Sequence, residues 1–113
     1  MLKQYKIIEE GKTAHCGLLK YNTDTDEYSI DIEINYPIEQ LPAILAAYKS
    51  IGKVNLNNEE ALRFVKARVI PAERQNIGQI LRKIGVPYYS EFFILDYTKG
   101  RCCMDEFYLE EVA

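Results

Sequence analysis

Between Tyr28 and Tyr48 the spacing of apolar residues changes, and that change restricts what the chain can fold into. Tyr28, Ile30, Ile32 and Ile34 alternate with Ser29, Asp31, Glu33 and Asn35, the period of two expected of a strand with one wet face. From Ile38 onward Ile38, Leu41, Leu45 and Tyr48 recur every three or four residues, the period of a helix laid over a sheet face. Pro42 suits the first turn of that helix and Gly52 the position just past its end.

Upstream, Tyr5-Lys6-Ile7-Ile8 and the run from Ala14 to Tyr21 flank Glu9-Glu10-Gly11-Lys12, a short glycine-bearing connection that predicts a β-hairpin. Asn22-Thr23-Asp24-Thr25-Asp26 gathers residues that hydrogen-bond their own backbone in turns, so residues 1–35 predict a three-stranded antiparallel meander. Downstream, Asn57 or Asn58 caps a second helix through Leu62 and Val65, ended by Val69 because the residue before a proline disfavours α geometry. A third helix follows, with Pro71 in its first turn, Glu73 near its positive end, the stripe Ile77, Ile80, Leu81 and Ile84, and Gly85 beyond it. Ser90 opens a short fourth helix through Phe92, Phe93, Leu95 and Tyr97, stopped by Gly100, and residues 106–112 predict a final strand. The expected fold class is α+β: an N-terminal antiparallel three-stranded meander followed by three or four short helices and a C-terminal strand. No repeat or linker divides residues 1–113, so one domain is expected.

Of the 113 residues, 48% are hydrophobic, enough for a core without disulfide or metal support. The 14 basic and 17 acidic side chains give a net charge of −3, which argues against a protein that coats nucleic acid. The distribution is uneven: 6 basic and 8 acidic groups in residues 1–54, 6 and 3 in residues 55–85, and 2 and 6 in residues 86–113. No apolar run approaches the roughly 20 residues that cross a bilayer, and Met1-Leu2-Lys3-Gln4 opens neither a signal nor a transit peptide. Three cysteines, at positions 16, 102 and 103, do not make an even secreted framework. A cytoplasmic protein without membrane contact is expected.

The residues that carry chemistry elsewhere are sparse here. The single histidine, His15, stands in a predicted strand beside Cys16, without the orienting partners that a nucleophilic triad requires. His15, Cys16, Cys102 and Cys103 number four, but the adjacent pair departs from the spacing of structural zinc ligands, and free packed thiols are the simpler reading. The six glycines are scattered singly and make no phosphate-binding loop. Asp105, Glu106, Glu110 and Glu111 read as a solvated acidic face. No catalytic residue, metal or cofactor is expected.

The segment from Ala61 to Ile77 is the most informative. Two helices joined by a short proline-containing turn, with a local excess of basic charge, have the outline of a helix-turn-helix over residues 57–85. In that DNA-binding alternative Arg63, Lys66, Gln75, Asn76, Gln79 and Arg82 are the candidate contacts. The acidic flanks oppose it, and a helical hairpin that closes the core is the simpler reading.

At the same place, Arg68-Val69-Ile70-Pro71-Ala72-Glu73-Arg74, preceded by Leu62 and Phe64 and followed by Ile77, resembles a segment of HipA-like kinases of Gram-positive bacteria, in which Arg-x-Ile-Pro-x-x-Arg leads into a helix. Met104-Asp105-Glu106-Phe107-Tyr108-Leu109 is similar to the aspartate, aromatics and aliphatic that precede the kinase body in that family. The likeness is best over residues 56–110. Because the kinase body would begin near Ala113, the resemblance implies a free-standing version of the amino-terminal module. It would be a non-catalytic, protein-binding, antitoxin-like partner of such a kinase, encoded by a toxin-antitoxin or related system.

Arg68, Pro71, Arg74, Asp105, Phe107 and Tyr108 are then the candidate partner-binding or structural motif. An arginine fork holds a carboxylate in two hydrogen bonds, so Arg68 or Arg74 either locks the helices to Asp105 and the last strand or presents its fork to a partner. Besides the DNA-binding alternative, a phage or mobile-element inhibitor of a host defence protein fits a compact acidic domain.

Overall fold

The computed structural model describes residues 1–69, 75–85, 88–102 and 104–112. The fold is α+β, a five-stranded antiparallel sheet with four α-helices among the described residues. The strands are β1 (Leu2–Glu9), β2 (His15–Asn22), β3 (Glu27–Ile32), β4 (Asn55–Leu56) and β5 (Phe107–Glu111), in the order β4-β3-β2-β1-β5. The helices are α1 (Ala43–Ser50), α2 (Asn58–Lys66), α3 (Ile77–Ile84) and α4 (Glu91–Thr98). The expected meander is present but forms only the middle of the sheet. The C-terminal strand extends it beside β1, with Ile7 opposite Leu109, and β4 extends it beside β3, with Ile30 opposite Leu56.

Strand register follows from which residues must be dry. Residues directly opposite each other share a face, and the rows Tyr5–Leu19–Ile30 and Tyr21–Tyr28 put the large apolar side chains on one side. Leu45 of α1, Ala61, Phe64 and Val65 of α2, and Phe92 and Leu95 of α4 cover that side. Each fully buried leucine, isoleucine or phenylalanine contributes about 1.5–3 kcal/mol. A bulge between Ile7 and Ile8 moves the pairing from Gly17 to His15, and Cys16 turns into the core, where it is fully buried. The other face carries Lys20, Asp31 and Asn55, joined by an ion pair and a hydrogen bond.

Three boundaries differ from the sequence expectation. The strand β3 stops at Ile32: Glu33 N–H makes the last ladder bond, to Cys16 O, and the chain then turns, with Tyr36 N–H donating to Glu33 O, leaving Ile34 74% exposed. The helix expected from Ile38 splits into a 3₁₀ turn, Ile38–Gln40, and α1, because Leu41 stands before Pro42 and is extended, the conformation that proline imposes on its predecessor. The helix expected from Pro71 starts at Ile77 among the described residues, with Gln75 and Asn76 in a turn; Pro71, Glu73 and Arg74 lie outside them. The connection from α2 to α3 spans residues 67–76, and its described part is not helical. The turn expected to join the two helices at residues 70–74 lies outside the described residues. The stripe of α3 (Ile77, Ile80, Leu81, Ile84) is only half-buried.

Other ends form as composition dictates. Asn57 caps α2 in a reciprocal box: Glu60 N–H donates to Asn57 Oδ1 at 2.9 Å and Asn57 N–H to Glu60 Oε1 at 3.1 Å. Ser90 caps α4 through Phe93 N–H. After α4, Lys99 and Gly100 are both left-handed, and Gly100 N–H donates to Leu95 O at 2.9 Å.

Gly100 combines a φ of +69° with a packed neighbour, since a Cβ there would lie 2.6 Å from Leu109 Cγ. Gly52 has a φ of +86° but open space around the Cβ position. Urea denaturation should show Gly100→Ala less stable by about 2–3 kcal/mol and Gly52→Ala by only about 1 kcal/mol, the difference being the clash with Leu109.

Candidate functional site

Arg68 follows the last turn of α2, and its side chain runs inward with only 7% of the residue exposed. Its guanidinium meets four acceptors. Nε donates to Gly100 O at 2.5 Å, Nη1 to Asp105 Oδ2 at 2.9 Å, and Nη2 to Asp105 Oδ1 at 2.6 Å and Phe107 O at 2.9 Å. Its carbon centre also lies 5.2 Å from the Phe64 ring centroid. One side chain thus joins α2, the end of α4 and the start of β5. A planar fork with five fixed donors fits this set of acceptors, and a lysine ammonium does not.

Asp105 completes the unit by accepting Phe107 N–H at 2.9 Å. Burial pushes its pKa up, but the hydrogen bonds from Arg68 and Phe107 and the guanidinium charge outweigh burial and hold the carboxyl below its usual range. Of the motif residues, Arg68, Asp105 and Phe107 are therefore brought together, and Arg68 serves the interior. Tyr108 points to the opposite sheet face, half-buried under the Arg101 guanidinium at 4.6 Å. Pro71 and Arg74 fall outside the described residues.

The candidate nucleic-acid contacts Arg63, Lys66, Gln75, Asn76, Gln79 and Arg82 are all exposed. Arg63 donates to Tyr48 Oη at 2.9 Å and approaches Glu59 at 3.9 Å. Arg63 and Lys66 stand on α2, Gln75 and Asn76 in the turn before α3, and Gln79 and Arg82 on α3.

His15 is bound through Nε2 to Glu33 at 3.0 Å. Its neighbour Cys16 is driven inward by the bulge, and burial pushes that thiol up to about 12, so it is protonated at neutral pH and inert as a nucleophile. Among the described residues no three His, Cys, Asp or Glu side chains converge as metal ligands; Cys103 lies outside them.

A second place was not singled out by motif. Where β1 begins and α4 starts, Lys3, Tyr21, Thr23, Asp26, Tyr88 and residues 89–93 surround an open cleft of about 500 Å³. Phe92 stacks on Tyr21 with centroids 4.1 Å apart and planes at 9°, and Tyr88 meets Phe93 at 5.4 Å. Tyr21 Oη donates to Asp26 Oδ1 at 2.5 Å, and burial, reinforced by Asp26, raises its pKa. Tyr88 is 60% exposed. The legible signal was the density of Tyr88-Tyr89-Ser90-Glu91-Phe92-Phe93; the pairing of that run with Lys3 and the β2–β3 turn depended on topology.

No protein-family model matches the chain, and no curated protein or solved structure matches it.

Two outcomes follow from the Arg68 unit. Arg68→Lys keeps the charge but loses the fork, and should cost about 2–3 kcal/mol in chemical denaturation. Because the Asp105 pKa is lower in the folded state, its ionised form stabilises the fold at neutral pH, and that contribution disappears as pH falls below about 4 through the depressed value. Asp105→Asn should cost roughly 2–3 kcal/mol at pH 7 and flatten the loss of stability as pH falls below about 4; an unchanged acid slope there would remove Asp105 from this role.

Proposed function

We propose that the chain is a non-catalytic regulatory module that binds another protein, acting in an antitoxin-like way on a HipA-like kinase. The observation that carries protein binding is the aromatic cleft at the start of α4, an exposed recess built from tyrosine and phenylalanine, residue types that favour interface cores. It has the size of a side-chain receptor, and polar groups at its rim, Lys3, Asp26 and Glu91, supply orientation.

The sheet edges point to the same place. At β3, Tyr28 N–H is taken by Asn58 Oδ1 at 2.8 Å; at β5, Leu109 N–H donates to Lys99 O at 2.7 Å and Phe107 O accepts Arg68. Strands capped at these points resist strand addition there, which favours side-chain recognition in the cleft. The kinase connection is supported by the physical unity of the two segments that carry the resemblance, since Arg68 of the first holds Asp105 of the second.

The test is capture from the native host with the full chain as bait, at low and moderate salt, read by mass spectrometry. A kinase retained by the native chain and lost with Tyr88→Ser is the expected result, with binding weakened at least tenfold. Retention of no protein, or a duplex-DNA affinity that falls steeply with salt, would overturn it.

A further inference from the structure

We infer that the cleft at the start of α4 receives an arginine side chain of the partner protein, a reading that rests on the protein-binding role and gives that role a recognition chemistry. Three features converge on a cation. Tyr88 and Phe93 line the recess beside the buried Phe92, with Tyr88 60% exposed, and aromatic faces attract cationic groups placed over them. The chain supplies an example, with Lys3 Nζ 5.6 Å from the Phe92 centroid. Asp26 and Glu91 are among the lining residues; Asp26 accepts the Tyr21 hydroxyl, and neither carboxylate has a cationic ion-pair partner among the described residues. Their two negative charges outnumber the one positive charge of Lys3, so the lining is net negative and complements a cation.

An anion fits less well. The first turn of α4 is a place where backbone N–H groups favour negative charge, but Glu91 already supplies that charge and Ser90 Oγ accepts Phe93 N–H. Arginine fits better than lysine, because a planar guanidinium lies flat on a ring while its edge meets a carboxylate in two hydrogen bonds. The open face of Tyr88 and the carboxylate of Glu91, three residues apart, offer that pair of surfaces.

The probe is N-acetyl-arginine methylamide titrated into the full chain and followed by NMR, beside the neutral isostere N-acetyl-citrulline methylamide and inorganic phosphate. The arginine probe should shift resonances of Tyr21, Glu91, Phe92 and Phe93 saturably, and the citrulline probe should bind at least tenfold more weakly. Glu91→Gln should weaken the arginine probe at least fivefold, and Lys3→Met, which removes the chain's own competing cation, should tighten it two- to threefold. Both positions lie outside the core, and unchanged backbone spectra establish that the variants are folded. Equal binding of citrulline would overturn the inference, as would phosphate binding in the cleft that Lys3→Met abolishes. Partner capture that survives Glu91→Gln while depending on Tyr88 keeps the protein-binding role and removes the arginine; saturable arginine binding without any captured protein removes the role and keeps the cation site.

Discussion

A buried guanidinium is the constraint on which the C-terminal half depends. Moving an arginine out of water is costly unless its charge and its N–H groups are met, and Arg68 is met only when Gly100, Asp105 and Phe107 are all in place. The requirement is cooperative: losing any one element exposes polar groups on the others. It also explains why a strand from the end of the chain can add to the sheet beside β1, since the arginine takes the Phe107 carbonyl that would otherwise stand open on the sheet edge.

The position of α4 follows from that clamp. Its end is fixed by Gly100, and its start is fixed by the stacking of Phe92 on Tyr21, so the helix is held at both ends against the covered face of the sheet. The aromatic cleft exists because these anchors leave Tyr88 and Phe93 at the margin rather than in the core. One helix thereby serves both structure and recognition, with Phe92, Leu95 and Gly100 serving the fold while Tyr88 just before it is exposed and Glu91 and Phe93 in its first turn are half-buried.

Much of this was legible in the sequence because short-range chemistry specified it. The turn from Asn22 to Asp26, the Asn57 cap with Glu60, the Ser90 cap and the stop at Gly100 each depend on neighbours a few residues away. The partnership of an arginine in the 68–74 segment with Asp105 was open to two readings, and burial of Arg68 selects the structural one. What did not show was long-range or register-dependent. The bulge that turns Cys16 inward leaves no mark in composition, and Leu41 fits the helical spacing although Pro42 holds it extended. The cleft unites residues from the first strand, the β2–β3 turn and α4, so the aromatic run from Tyr88 to Phe93 marks only one of its sides, and α3, with the strongest helical stripe among the described helices, contributes no fully buried residue to the core.

Arg68 ties β5 to the rest of the sheet, and native-state hydrogen exchange at Leu109 N–H, the donor to Lys99 O, is the sharpest probe of that tie. If the clamp holds, Leu109 exchanges only with global unfolding, at the same free energy as the amides shared by β1 and β2. In Arg68→Lys it should open at lower free energy than those amides. Exchange of Leu109 in the native chain by local fraying, independent of the central strands, would contradict the account.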